Sequence, residues 1–178
     1  DAAACKDALS DMRALSAMSG TEWLEPLREL AASVGIAIVI LKELPKCRVN
    51  GATRWLSPDK AMVALSLRHR RNDIFWFTLF HELCHVLRHS KKETFIDSSK
   101  SQIAAELEEE ANAFAARFLI PPQHASRLTH LRSSADVIRF ASELGIAPGI
   151  VVGRMRYDEL IPQSQWSALI DRYEFVDD

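Results

Sequence analysis

Apolar residues first recur at helical spacing over residues 7–19, at Ala8, Leu9, Met12 and Leu15, which predicts an amphipathic helix there. Ser19-Gly20 interrupts it. A second helix is expected from a cap at Thr21, turning Trp23, Leu24, Leu27, Leu30, Ala31 and Val34 inward. Pro26 falls in its first turns, where proline is tolerated, and Gly35 ends it. The period then changes. Residues 36–41 are a β-branched run that predicts a buried strand. Residues 51–56 and 61–67 flank the turn Ser57-Pro58-Asp59-Lys60, with Met62, Ala64 and Ser66 alternating against Val63, Leu65 and Leu67. That is the pattern of a hairpin.

The second half reads as helix. Residues 73–89 are apolar in their first turns (Ile74, Phe75, Trp76, Phe77, Leu79, Phe80), with Asn72 or Asp73 as the expected cap. A second strong helix is expected over 102–120, stopping at Pro121-Pro122, and shorter ones at 124–127, 134–144, 148–157 and 163–173. The polar stretch 90–101 has room for a short strand at 94–97. About three strands, mainly antiparallel, packed on the 73–89 helix and enclosed by several others, make an α+β domain. The expected division is an N-terminal helical segment, 1–34, and a main domain, 35–178, in one compact unit.

Composition narrows the class. The chain has 178 residues, 48% of them hydrophobic, and a net charge of -2, so it can bury a core of its own. The near-neutral balance argues against a general nucleic-acid or membrane-surface binder. The longest apolar runs, 35–41 and 74–80, are too short to span a bilayer. Cys5, Cys47 and Cys84 are scattered with no C-x-x-C pair, and no signal peptide is visible, which points to a reducing cytoplasm. The chain opens on Asp1 rather than Met, as the C-terminal part of a longer protein would. Arg68-His69-Arg70-Arg71 reads as a solvated loop, with a phosphate or DNA contact as the alternative.

The chemistry concentrates in His81-Glu82-Leu83-Cys84-His85, an H-E-x-x-H on the 73–89 helix. Residues four apart share a face, so His81 and His85 can bind one zinc ion, and Glu82 can accept the proton of an attacking water. The plain alternative is a pair of surface histidines on an amphipathic helix. A catalytic zinc keeps three protein ligands, and the 102–120 helix offers Glu106, Glu108, Glu109 and Glu110. Its apolar stripe runs through Leu107, Ala111, Phe114 and Phe118. Glu108 falls roughly 60° from the middle of that stripe, Glu110 roughly 100°, and Glu109 on the far side. Glu108 is therefore the expected third ligand and Glu110 the second choice. His89 continues the same face but lies about 12 Å along the axis from His81, too far to share one ion with it. It is expected to neighbour the site or the loop that follows. His69, His124 and His130 are read as surface or packing residues.

F-x-L-F-H-E-L-C-H-V-L-R-H, followed by E-E-E-A-N-A-F-A-A-R-F-L-I-P-P, resembles the ImmA/IrrE-type metallopeptidase domain. Flanking pieces resemble it too: Trp55-Leu56-Ser57-Pro58-Asp59-Lys60, Leu65-Ser66-Leu67-Arg68, Phe75-Trp76-Phe77, Gly145-Ile146-Ala147-Pro148 and Ile150-Val151-Val152-Gly153-Arg154. The likeness covers residues 35–163. It implies a small zincin-like fold and a glutamate ligand in an E-x-x-A-N setting, which lands on Glu108. It also implies a regulatory protein of repressor or antitoxin type as substrate, cut at one site in a stress response. Such domains often follow a helix-turn-helix domain in transcriptional regulators. Residues 1–34 are too short for one and lack its pattern, so neither direct nucleic-acid binding nor a membrane role is expected of this segment. Cys84 departs from the family, where Gly or Ala is usual; it reads as a small buried filler, with an oxidation-sensitive thiol as the alternative.

The implied reaction is zinc-dependent peptide hydrolysis with Glu82 as general base. Residues 61–67 are the strand expected to pair with an extended substrate. No residue is identified for oxyanion stabilisation; Tyr157, His89 and Arg154 are the candidates. The alternative function is a metal-binding sensor or interaction module of a transcriptional regulator. The intact Glu82 favours the enzyme, because a structural metal site has no need of it.

Overall fold

A computed structural model of the chain describes residues 2–41, 50–89 and 102–174. The strand expected at 94–97 and Cys47 lie outside the described residues. In chain order the elements are α1 (Ala2–Leu15), α2 (Leu24–Ser33), β1 (Ile36–Leu41), β2 (Gly51–Ser57), β3 (Lys60–Ser66), α3 (Asn72–Arg88), α4 (Gln102–Leu119), α5 (Pro122–Ala125), α6 (Ser134–Leu144) and α7 (Pro148–Tyr157). The α+β expectation holds. No helix among the described residues is long and apolar enough to cross a membrane.

The three strands lie in the order β1-β3-β2. β2 and β3 are the antiparallel hairpin the turn sequence predicts, with Thr53 opposite Val63. β1 pairs with β3 in parallel, Ile38 opposite Val63. The sheet is therefore mixed rather than mainly antiparallel. The expectation that substrate pairs along 61–67 is also corrected, because β3 is the central strand and both its edges are already bonded. β2 is the edge strand beside α3.

α3 is the axis of the fold. Its buried residues are Asn72, Asp73, Phe75, Trp76, Thr78, Leu79, Phe80, Glu82, Leu83 and Cys84, and it packs against α4, α7, β2 and β3. Neither Asn72 nor Asp73 caps it; the cap position is Arg71, with no side-chain cap bond. Instead Arg71 grips Asp73 in a two-pronged ion pair (3.0 and 2.6 Å), so this part of the basic stretch is a structural pair rather than free solvated charge. The segment after α7 pins the same entry. Asn72 N–H donates to Asp171 O and Tyr173 N–H to Arg70 O. That extended pairing replaces the helix expected over 163–173, of which only a single 3-10 turn, Ser167–Leu169, forms. Trp166 just before it has φ 56, which breaks a helix.

α1 and α2 join the same core. Ala8, Leu9, Met12, Trp23 and Leu27 are buried with Phe75 and Trp76. The Trp23 ring lies 4.8 Å from Phe75 and 4.7 Å from Tyr173, centroid to centroid, and Trp76 Nε1 donates to the Tyr173 hydroxyl at 2.7 Å. Thr21 does not cap α2. The turn 21–23 precedes it, Trp23 is its cap residue and makes no side-chain cap bond, and the Trp23 indole donates to Gly20 O. Gly35 ends α2 at φ +80, and a Cβ there would lie 2.6 Å from Asp59 O, so only glycine serves. α6 is closed at both ends, by a Ser133/Asp136 capping box and by Gly145 in the left-handed region.

Arg13 on α1 ties together two helix ends that lack partners of their own. Its Nε and Nη2 donate to Leu119 O at the end of α4, and its Nη1 to Leu144 O at the end of α6. A cation at two C-termini also meets the negative ends of their dipoles. Arg13→Ala should cost about 2–3 kcal/mol in urea unfolding. Arg13→Lys should recover only part of it, because one ammonium cannot reach both carbonyls. A loss below about 0.5 kcal/mol for Arg13→Ala would show that the clamp adds nothing beyond an ordinary surface change.

Candidate metal centre

His81 and His85 lie one turn apart on the half-buried strip of α3, as the spacing requires. Their Nε2 atoms are 3.1 Å apart. Glu108 on α4 closes the group, with one oxygen 3.2 Å from His81 Nε2 and the other 3.3 Å from His85 Nε2. Tetrahedral zinc with bonds of about 2.0–2.1 Å holds its ligand atoms roughly 3.3–3.4 Å apart. The three side chains therefore fit a zinc ion as they stand. Glu108 keeps a side-chain exposure of 60%, so the centre is open on one side, which an exchangeable water or substrate position demands.

Each histidine is oriented from behind. His81 Nδ1 lies 2.9 Å from Asn112 Oδ1. The amide oxygen accepts, so the ring hydrogen sits on Nδ1 and Nε2 keeps its lone pair for a metal. His85 Nδ1 lies 2.7 Å from His89 Nδ1. Burial lowers the pKa of His85, opposed by the Glu108 charge, and this favours the neutral ring a metal needs.

Glu82 points the other way around the helix, toward β2. It is buried, and the Thr53 hydroxyl donates to its Oε2 at 2.8 Å. Burial pushes its pKa up from the ordinary carboxylate range, opposed first by the Thr53 hydrogen bond and then by His81. Gly51 leaves the space: a Cβ there would lie 2.7 Å from both Glu82 Oε1 and Thr78 Cγ2. Any side chain at 51 would displace the carboxylate. Glu82, His81, His85, Glu108, Asn112, Gly51, Ala52, Thr53, Phe77, Thr78 and Asn50 line one cleft of about 500 Å³.

The other sequence candidates lie elsewhere. Glu110 is paired with Arg88 at 3.0 Å and with His89 at 3.4 Å, and these two bonds hold its pKa below the usual range. Tyr157 is 83% exposed at the end of α7. Arg154 is bonded to Asp158 and to Ala116 O. His89 sits behind His85. None of these three lines the cleft; its polar side chains beyond the histidines and glutamates are Asn50, Thr53, Thr78 and Asn112. His69 and His130 are exposed and His124 half-buried, all away from the cleft. Cys84 is fully buried, and burial pushes its thiol up to about 11, which makes it inert filler.

Sequence reasoning missed Thr53, Gly51 and the task of Asn112. Two signals were present. Gly51, Thr53 and Trp55 share one face of β2, and a small residue next to a hydroxyl there suits a helix that brings a polar group close. Asn112 is four residues from Glu108 and so faces the same way.

The comparisons agree with the geometry. Residues 49–156, more than half of the chain, match the family model described as the IrrE N-terminal-like domain, Peptidase_M78. No significant match was found among curated proteins or solved structures. The match spans β2, β3, α3, α4 and nearly all of α7, and so takes in every side chain of the cleft. The chain belongs to the IrrE N-terminal-like family, a metallopeptidase-type family.

Proposed function

We propose that the domain is a zinc-dependent endopeptidase that cleaves a regulatory protein of repressor or antitoxin type. One observation carries the reading: His81, His85 and Glu108 converge at zinc-ligand spacing beside the buried carboxylate of Glu82. A group that only held metal for structure would have no use for that carboxylate, nor for the glycine that makes room for it.

Zinc held by His81, His85 and Glu108 would supply Lewis acidity, acidifying a water and polarising the scissile carbonyl. The rest falls to the chain's own side chains. Glu82 accepts the proton of the attacking water and passes it to the leaving amine. Thr53 holds the carboxylate in place, and its donated hydrogen bond opposes the rise in pKa that burial causes. Asn112 keeps His81 in the ligating tautomer. The edge of β2, whose Gly51, Ala52 and Thr53 border the cleft, pairs with no other strand among the described residues and suits an extended peptide. A single antiparallel edge, rather than a deep pocket, suits a protein substrate cut in an exposed loop.

Two tests follow. Glu108→Gln should weaken zinc binding far more than Glu110→Gln in competition with a chromogenic chelator, since only Glu108 touches both Nε2 atoms. The reverse order would assign the third ligand to Glu110. Glu82→Gln keeps shape and the Thr53 bond, so zinc content and melting temperature should be unchanged. Cleavage of the regulator encoded beside the gene should fall by about 10²–10⁴-fold. Wild-type cleavage by Glu82→Gln would refute the peptidase reading. A regulatory phenotype lost in His81→Ala and kept in Glu82→Gln would instead mark a metal-dependent sensor.

A further inference from the structure

We propose that His89 is a positioning residue for the centre: it fixes the ring of His85 from behind and is itself held by Glu110 and Arg88. The inference rests on His85 being a metal ligand.

The two Nδ1 atoms of His85 and His89 are 2.7 Å apart. At that distance one carries a hydrogen and the other accepts it. His85 Nε2 lies in the convergence with His81 and Glu108. A nitrogen that gives its lone pair to a cation carries no hydrogen. The hydrogen of neutral His85 is therefore on Nδ1, and His89 Nδ1 accepts it. The hydrogen of His89 is then on Nε2, which faces Glu110 Oε2 at 3.4 Å. Arg88 Nη1 donates to the other oxygen of Glu110 at 3.0 Å and anchors it. Every hydrogen in the chain has one donor and one acceptor, and no ring needs to be charged.

The helix makes the contact possible. His89 follows His85 by one turn, and the rings meet with centroids 4.7 Å apart at 66°. The His89 side chain is only 6% exposed, so water is a poor substitute for it. The same positions that bar His89 from the ion it would share with His81 place it behind His85. α4 thus serves both histidines from one short stretch: Asn112 bonds His81 directly, and Glu110 reaches His85 through His89.

A second cation is the competing explanation, because Cys84, His89 and Glu110 bring donor atoms within 4.8 Å of one another. Three features oppose it. Arg88 already neutralises Glu110. His89 Nδ1 is taken by His85. Cys84 is fully buried, and burial outweighs the opposing Arg88 charge and keeps the thiol protonated.

The test measures zinc affinity of the full chain by chelator competition, the visible spectrum of the cobalt-loaded protein, and melting of the metal-free protein. His89→Ala should weaken zinc about 10–100-fold and change the cobalt spectrum, with metal-free melting unchanged. His89→Gln, whose amide can accept from His85 and donate to Glu110, should recover part of the affinity. Wild-type affinity in His89→Ala, with affinity lost in His81→Ala, would overturn the relay and leave the metal centre standing. Wild-type affinity in His81→Ala would overturn the metal centre and the relay with it. Equal losses in His89→Ala and His89→Gln, matched by a lower metal-free melting temperature, would reduce His89 to a packing residue. Two zinc ions per chain, one lost in Cys84→Ser, would replace the relay with a second metal site.

Discussion

A helix enclosed around most of its circumference can meet water only along one strip, and in this chain the strip on α3 carries His81 and His85. Phe75, Trp76, Leu79, Phe80 and Leu83 are at most 3% exposed. They turn toward α4, α7 and the sheet. Burying such side chains contributes on the order of 1.5–3 kcal/mol each before entropy is counted, so the rotation of α3 about its axis is strongly determined. The histidines cannot swing away without exposing the core. That rigidity is what a metal centre needs, since ligand geometry must be held to a fraction of an ångström.

The same enclosure makes polar groups on α3 costly, and three of them are met by partners outside the helix. Asp73 is met by Arg71, and Gly153 on α7 lacks the side chain that would collide with it. Glu82 is met by Thr53 on β2. His81 is met by Asn112 on α4. The site is thus assembled from the sheet on one side and α4 on the other, with α3 between them. On the open side, two imidazole lone pairs and a carboxylate converge, and a cation would relieve their mutual repulsion.

Much of this was legible because it is local. β1, α6 and α7 fall where periodicity and breakers put them, since residues 36–41, 134–144 and 148–157 carry their own signals. The juxtaposition of His81 with His85 follows from helical pitch, and the facing of Glu108 follows from the apolar stripe of α4. What was not legible is tertiary. Strand order cannot be read from a hairpin pattern, so the central position of β3 was missed and with it the edge that borders the cleft. Thr53 sits 29 residues from Glu82, and no spacing rule connects them. The 163–173 stretch has helical composition, yet its backbone is captured by Arg70 and Asn72 in an extended pairing. His89 was expected to neighbour the site or the loop that follows, but its bonds to His85 and Glu110 depend on how α4 packs against α3, which helical pitch alone does not give.

The central claim is that His81, His85 and Glu108 hold one zinc ion and leave it a position open to solvent. X-ray absorption at the zinc edge of the loaded protein tests it directly. The claim predicts four or five nitrogen and oxygen neighbours at about 2.0–2.2 Å, two of them imidazoles with their outer-ring scattering, and no sulfur. A sulfur neighbour at about 2.3 Å would place the ion at Cys84 instead and contradict the claim.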